Sequence, residues 1–207
     1  MTYVKASVRR PVGNPGNGIQ PKDQLVIYDV DDILSFPPRN DAGVVIEEDI
    51  VMKAGRYAIG IYLTPGTAEI SSNSDGETDA EGYTPSIKFN HPGNEQEIRE
   101  FKTNWLSKKC IVVLRYCSGK PADLIGTPCN PCKLSVSYTG SNESNTNELT
   151  FTQISKGDDI AIYRGTDTLE EPVAVVEAGA TDIDYQTDGQ YQLSAGAAKI
   201  AGVTGGS

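Results

Sequence analysis

The stretch Cys110-Ile111-Val112-Val113-Leu114-Arg115-Tyr116-Cys117 (residues 110–117) is a nearly continuous apolar run that only Arg115 interrupts. A strand with one side in solvent alternates apolar and polar residues, whereas a strand covered on both faces is apolar throughout. The stretch therefore predicts a β-strand that is covered on both of its faces.

Alternating apolar residues on either side of this run predict further strands. Leu134, Val136 and Tyr138 alternate with polar residues, which is typical of a half-buried strand. Residues 57–63 are apolar on both faces, and residues 44–52 carry apolar side chains on one face of an expected strand. The 21 glycines and 12 prolines suit many short strands joined by turns. Two polar stretches, residues 67–83 and 140–148, are expected to be loops.

One helix is predicted, over residues 94–107. Asn94 is the expected N-cap, with Glu97 placed to complete a capping box. Ile98, Phe101 and Trp105 recur at spacings of three and four, so they share one face and should anchor the helix to a sheet.

The expected fold class is mainly β, a sandwich or barrel with one flanking helix. Residues 1–24 form an N-terminal arm, because a Gly- and Pro-rich break follows its first strand-like positions. Residues 25–165 form the core. Residues 166–207, with seven acidic residues against one lysine, form a small acidic β-unit or a flexible tail.

The net charge of -10 excludes two kinds of partner. Tight nucleic-acid binding needs clustered Lys and Arg to release counterions, and binding to anionic lipid needs a polybasic patch. No apolar run approaches the roughly 20 residues of a membrane span. We therefore expect no membrane partner, and a product of the cytosol.

The catalytic inventory of the sequence is poor. His91 is the single histidine, it precedes a proline in an expected turn, and no Gly-x-Ser-x-Gly motif is present. A Ser or Cys nucleophile needs a base within hydrogen-bond reach, which is most often His. We expect no enzyme activity and no cofactor, and a role for His91 in shaping the loop ahead of the helix.

The four cysteines are weak candidates for a zinc site. Cys129 and Cys132 form a C-x-x-C pair that Cys110 and Cys117 would complete to four thiolates. However, Cys110 and Cys117 are seven residues apart in one expected strand, so their side chains point to opposite faces unless a bulge intervenes. A redox motif is disfavoured by the neighbouring prolines. The simplest interpretation is two buried core thiols and a Pro-rich turn.

Two acidic clusters are also present, at residues 29–32 and 73–82. The second partly matches a calcium-binding EF-hand loop from Glu77, but Lys88 stands where the bidentate Glu belongs. A solvated acidic loop is the better interpretation.

The order of arm, strands, one amphipathic helix, further strands and a terminal unit resembles the tail tube (major tail) proteins of long-tailed bacteriophages. The nearer likeness is to prophage-type structural proteins of Bacteroidetes phages. It covers most of residues 1–165 and is carried by residues 14–16, 28–32, 52–55, 91–101, 126–129 and 151–152.

The resemblance implies a virion protein of the phage tail, with a β-sandwich or barrel of the tail-tube type. Its subunits form rings, usually hexamers, that stack into a tube, contact other tail proteins and let DNA pass without binding it. Acids at positions 29, 31, 32 and 47–49 are candidates for the lumen. The expected assembly contacts lie in the arm and in the polar stretch 67–83: Tyr3, Val4, Val8, Arg9, Arg10, Ser72, Asp75 and Asp79.

Two alternatives remain open at this point. One is another virion or surface binding module, such as a capsid decoration or adhesion domain, although an adhesin should expose aromatic platforms and only 7% of residues are aromatic. The other is a zinc-containing protein built on the four thiolates.

Overall fold

The computed structural model of the chain describes residues 6–12, 16–18, 20–142 and 144–169, together with the backbone of 183–185 and 191–193. The chain divides into two compact units, Met1–Glu170 and Glu171–Ser207. The division lies slightly beyond the boundary predicted after residue 165.

The first unit is mainly β, as predicted, with one α-helix, α1 (Gln96–Trp105), among its described residues. A short 3-10 turn spans Val30–Asp32. Its strands are β1 (Pro21–Asp29), β2 (Ile33–Ser35), β3 (Val45–Ile46), β4 (Val51–Met52), β5 (Ile59–Tyr62), β6 (Glu69–Asp75), β7 (Gly82–Pro92), β8 (Cys110–Tyr116), β9 (Ala122–Ile125), β10 (Cys132–Gly140), β11 (Asn145–Gln153) and β12 (Ala161–Tyr163).

Strand β8 is covered on both faces, as its apolar run predicts. Cys110, Val112 and Leu114 lie in one cluster of buried side chains, which we call the first core. Ile111 and Val113 lie in another, the second core, on the opposite face. The neighbouring strand β1 divides its residues between the two cores in the same alternating way.

Ten strands form one sheet that branches at β8. One edge of β8 pairs with β1, which in turn pairs with β5. The other edge is shared: residues 112–114 pair with β9, and Cys110 pairs with Cys132 of β10. From β9 the sheet continues to β12 and β3, and from β10 to β11, β7 and β6.

The sheet wraps around the first core but does not close into a barrel. Strands β5 and β7 approach each other at one end, where the Thr64 N–H donates to the Asn90 carbonyl at 2.9 Å. The His91 Nδ1 also lies 2.9 Å from the Tyr62 carbonyl oxygen. Within the described residues these contacts replace a strand ladder between β5 and β7, so the barrel alternative in the prediction is wrong.

Helix α1 is two residues shorter at each end than predicted, and its N-cap is Glu95 rather than Asn94. The Glu95 side chain makes no capping bond, so the predicted capping box does not form. Asn94 instead accepts a hydrogen bond from Lys102 at 2.9 Å. Ile98 is buried in the first core, and Phe101 and Trp105 pack against it.

Both stretches predicted to be loops are β-hairpins. Residues 67–83 contain β6, a short turn and the start of β7, and residues 140–148 contain the end of β10, a tight turn and the start of β11. The Ser, Thr and Asn residues of these strands lack the apolar alternation on which the prediction relied. Their ladders form because the partner strand is already anchored in the first core.

The single strand expected over residues 44–52 is two separate short strands. Strand β3 pairs in parallel with β12 in the main sheet, and β4 pairs with β2 in a separate two-stranded sheet. Val44, expected on the apolar face, is 48% exposed, whereas Val45 and Ile46 are buried.

One further boundary differs from the prediction. Strand β1 begins at Pro21, so the last residues of the expected arm belong to the sheet. In the second unit, β13 (Ile183–Tyr185) and β14 (Tyr191–Leu193) pair antiparallel.

Replacing Trp105 with Ala should lower the free energy of unfolding by about 3 kcal/mol, at the low end for an aromatic truncation because Trp105 is only partly buried. The indole stacks on Phe101 at a centroid distance of 5.6 Å and lies under the Lys108 ammonium. Chemical denaturation followed by circular dichroism measures the change.

The matched control is Leu106→Ala, because Leu106 is the next residue and is 54% exposed. It should change the unfolding free energy by no more than about 0.5 kcal/mol. Equal effects of the two substitutions would contradict the packing of α1 against the first core.

Candidate assembly surface

Strand β6 lies at an edge of the main sheet. It pairs with β7 along its whole length, and Ser74 stands opposite Tyr83. The Tyr83 N–H donates to the Gly157 carbonyl at 2.9 Å, and the Gly157 N–H donates back to Tyr83 at 3.0 Å. The N–H and C=O groups of Tyr83 therefore point away from β6.

Backbone direction alternates along an antiparallel ladder, so the direction at Tyr83 fixes it throughout β6. Ser74, Ser72 and Ile70 form the non-hydrogen-bonded pairs with β7, and their N–H and C=O groups point outward. None of these six groups has a partner within the described residues. We call them the outer edge of β6.

Residues 154–160 hold the β6–β7 hairpin in place. The Ser72 hydroxyl donates to the Asp159 carboxylate, and the Asp75 carboxylate pairs with the Lys156 ammonium at 3.1 Å. The hydrogen bond from Lys156, together with the Gly76 N–H, lowers the pKa of Asp75. The side chains of Ser72 and Asp75, predicted as assembly contacts, are therefore engaged within the subunit.

The hairpin is strongly acidic. Residues 69–81 contain no Lys or Arg, and Asp79 at the turn adopts a positive φ of 72° with its side chain exposed. The turn forms no EF-hand, because Gly82 already begins β7. The acidic residues are Glu69, Asp75, Glu77, Asp79 and Glu81.

The described part of the arm, residues 6–12, is exposed along its length and belongs to no strand. Val8 is 96% exposed, and Arg9 and Arg10 have no ion-pair partner among the described residues. Tyr3 and Val4, the other predicted arm contacts, lie outside the described residues. At the base of the arm, the Gln20 carbonyl accepts a hydrogen bond from the Cys117 N–H at 3.0 Å.

His91 is in strand β7 rather than in the expected turn. Its ring meets Tyr62 edge-on at a centroid distance of 6.1 Å, and its Nδ1 contacts the Tyr62 carbonyl. These contacts give His91 a place in the junction between β5 and β7.

The structure does not bring the four cysteines together. Cys110 and Cys132 are buried neighbours across two strands, and the Cys110 thiol donates to the Cys132 carbonyl at 3.3 Å. Cys117 and Cys129 are exposed. Among the described residues, no three Cys, His, Asp or Glu side chains are grouped as a metal site. All four thiols are free.

Most of the acids proposed for a lumen have partners within the subunit. The Asp29 carboxylate accepts a hydrogen bond from the Lys108 ammonium. Asp32 forms an ion pair with Arg56 at 3.4 Å, and Glu47 forms one with Arg164 at 3.0 Å. Asp49 accepts a hydrogen bond from the Thr166 N–H at 2.7 Å, which lowers its pKa.

A polar network beside the second core was missed at the sequence level. The Asp167 carboxylate accepts hydrogen bonds from Tyr28, at 2.6 Å, and from the Arg115 guanidinium. Burial and the Asp167 charge raise the pKa of Tyr28. The signal that could have found the network is Arg115 itself, because a charge inside a buried strand requires a partner.

Comparison with protein-family models, curated proteins and solved structures finds no match for this chain. Among the described residues, no helix is both long and apolar enough to cross a bilayer.

Thiol labelling separates the buried from the exposed cysteines. Cys117 and Cys129 should react rapidly with a disulfide reagent in the native protein, and Cys110 and Cys132 only on unfolding. Burial raises the pKa of Cys110 to about 12 and raises that of Cys132 as well, so neither forms the reactive thiolate near neutral pH.

The control is the Cys117→Ser, Cys129→Ser double variant, in which fast labelling should disappear. Protection of Cys129 that a zinc chelator removes would instead restore the zinc interpretation.

Proposed function

We propose that this chain is a structural subunit that assembles with copies of itself into stacked rings, forming the tail tube of a long-tailed bacteriophage. The observation that carries the proposal is the outer edge of β6, with its six unpaired backbone groups. Unpaired strand edges are templates for another chain, and monomeric proteins protect them with charged side chains (Lys above all), Pro, bulges or covering segments. The outer edge of β6 contains neither Lys nor Pro, and the three residues that carry its open groups, Ile70, Ser72 and Ser74, are uncharged.

The charge of the edge favours a head-to-tail contact. Two copies of β6 placed edge to edge would bring their acids together, and like charges on paired strands are destabilising. The edge therefore favours a different surface of a second copy. Contacts between different surfaces generate rings when the rotation closes and helical filaments when it does not. Closed rings that stack on one another are the geometry of the proposed tube.

The net charge suits a conduit for DNA. With 28 acidic residues against 18 basic ones, a wall of such subunits repels phosphate, so transiting DNA gains few holding contacts. The proposal includes hexameric rings, contacts with other tail proteins and a location in the virion.

A proline at the outer edge of β6 tests the proposal. Ser74→Pro removes one outward N–H without touching a bond to β7, so the subunit should stay folded while rings and tubes are lost. Ser74→Ala keeps the N–H and should assemble as the wild type does. Negative-stain electron microscopy of concentrated protein, with thermal unfolding of each variant, gives both measurements.

A wild-type protein that remains a monomer at high concentration would contradict the proposal and favour the decoration or adhesion alternative. Tubes formed equally well by Ser74→Pro would show that assembly does not use the outer edge of β6.

Deleting residues 1–12 should leave a folded, soluble subunit that no longer polymerises. The described arm residues contribute nothing to either core, so the unfolding midpoint should be nearly unchanged. Size-exclusion chromatography and electron microscopy check the result. Long tubes formed by the truncated protein would show that the arm has no part in assembly.

A further inference from the structure

We infer that the outer edge of β6 receives the N-terminal arm of a second copy of this chain, added as an antiparallel strand. The inference rests on the proposed function and specifies which two surfaces meet. In the single subunit the backbone groups of the edge have no hydrogen-bond partner among the described residues, and residues 6–12 of the arm are exposed and pair with no strand.

Charge complementarity is the first argument. Residues 1–12 contain Lys5, Arg9 and Arg10 and no acid, whereas residues 69–81 contain five acids and no base. Opposite charges across a strand pair stabilise it, by about 0.2–1 kcal/mol per pair. Arg9 and Arg10 are exposed and lack an ion-pair partner among the described residues, and Glu69 is likewise exposed and unpaired there.

Side-chain alternation is the second argument, and it gives the register. Ala6 and Val8 alternate with Ser7 and Arg9, so one face of an added strand is apolar. On β6, the Ile70 side chain packs against the first core. An antiparallel register with Arg9 opposite Glu69 puts Val8 beside Ile70 and extends that core. The further pairs in this register are Ser7 with Ser71 and Ala6 with Ser72.

The same register gives hydrogen-bond partners to the open backbone groups of β6. Ile70 and Ser72 carry outward N–H and C=O groups, and in this register they become the hydrogen-bonded partners of Val8 and Ala6. Adding a strand to an open sheet edge is a general mode of peptide recognition, in which the main chain supplies affinity and alternate side chains supply specificity.

The donor is another copy rather than the same chain. In the single subunit, Val8 and Val12 are 96% and 103% exposed, and residues 6–12 pair with no strand. A subunit that closed its own edge with its own arm would bury Val8 beside Ile70. Passing the arm of each copy to the next one, around a ring or along a stack, closes every internal edge, and an open stack leaves one edge unpaired at its end.

Disulfide trapping tests the register and the donor together. Ser7 and Ser71 form a non-hydrogen-bonded pair in the proposed ladder, where Cα atoms lie about 4.5 Å apart, within the range that a disulfide spans. Ser7→Cys and Ser71→Cys are made as separate proteins in a Cys117→Ser, Cys129→Ser background, mixed, and oxidised with oxidised glutathione. The expected result is a disulfide-linked pair of chains that joins one Ser7→Cys chain to one Ser71→Cys chain.

The matched control is Ser72→Cys in place of Ser71→Cys. Ser72 is on the opposite face of β6 and should give no cross-link with Ser7→Cys. Arg9→Glu should lower the cross-linked yield about fivefold, and adding Glu69→Arg on the other chain should restore it. Raising the salt concentration should lower the yield, because the Arg9–Glu69 pair is exposed.

Four outcomes overturn the inference. Equal cross-linking at positions 71 and 72 refutes the register. A cross-link only within a chain that carries both Ser7→Cys and Ser71→Cys shows that the arm folds back on its own subunit. Cross-links only between two Ser71→Cys chains show that β6 pairs with itself. Tubes in the microscope without any cross-link refute arm docking while leaving the proposed function in place.

Cross-linked chains that never form rings or tubes support arm docking and refute the proposed function.

Discussion

The burial of β8 on both faces is the constraint on which the rest of the first unit depends. Residues 110–114 send alternate side chains into two different cores, so each face of the strand must be covered by other parts of the chain. Strands β7, β10 and β11 with α1 cover one face, and residues 46–58 with β9 and β12 cover the other. The sheet branches at β8 because one edge of this strand pairs both with β10, whose residues cover the first core, and with β9, whose residues help to cover the second core.

The one charge in that strand is satisfied at long range. Arg115 bonds the Asp167 carboxylate and the Gly165 carbonyl, and its guanidinium lies 5.6 Å from the centre of the Tyr163 ring. The same carboxylate accepts the Tyr28 hydroxyl, so the strands β1, β8 and β12 meet the last described segment of the unit at one point. A buried charge without such partners would cost several kcal/mol. The network therefore holds residues 165–167 against the second core.

The main sheet is complete inside and incomplete at its edge. Buried aliphatic and aromatic residues determine the central pairings, but β6 is a strand of Glu, Ile, Ser, Asn and Asp with little apolar surface of its own. It is held by one neighbour strand and by two side-chain contacts to residues 156–159. Among the described residues, the open side of β6 and the exposed arm residues 6–12 are two features that a single copy leaves without a strand partner.

The sequence by itself determined the mainly β class, the doubly buried strand at residues 110–114 and the face of α1 that carries Ile98, because hydrophobic periodicity records which side of an element is buried. The predicted strand extended to Cys117, which is exposed and lies beyond the end of β8 at Tyr116. It did not determine the cap at Glu95, the hairpins at residues 67–83 and 140–148, or the split of residues 44–52 into two sheets. Polar strands such as β6 form only because an anchored neighbour offers them a ladder, and local pattern does not record that neighbour. The partner of Arg115 and the open edge of β6 were likewise decided by tertiary structure, since both depend on segments far apart in the chain.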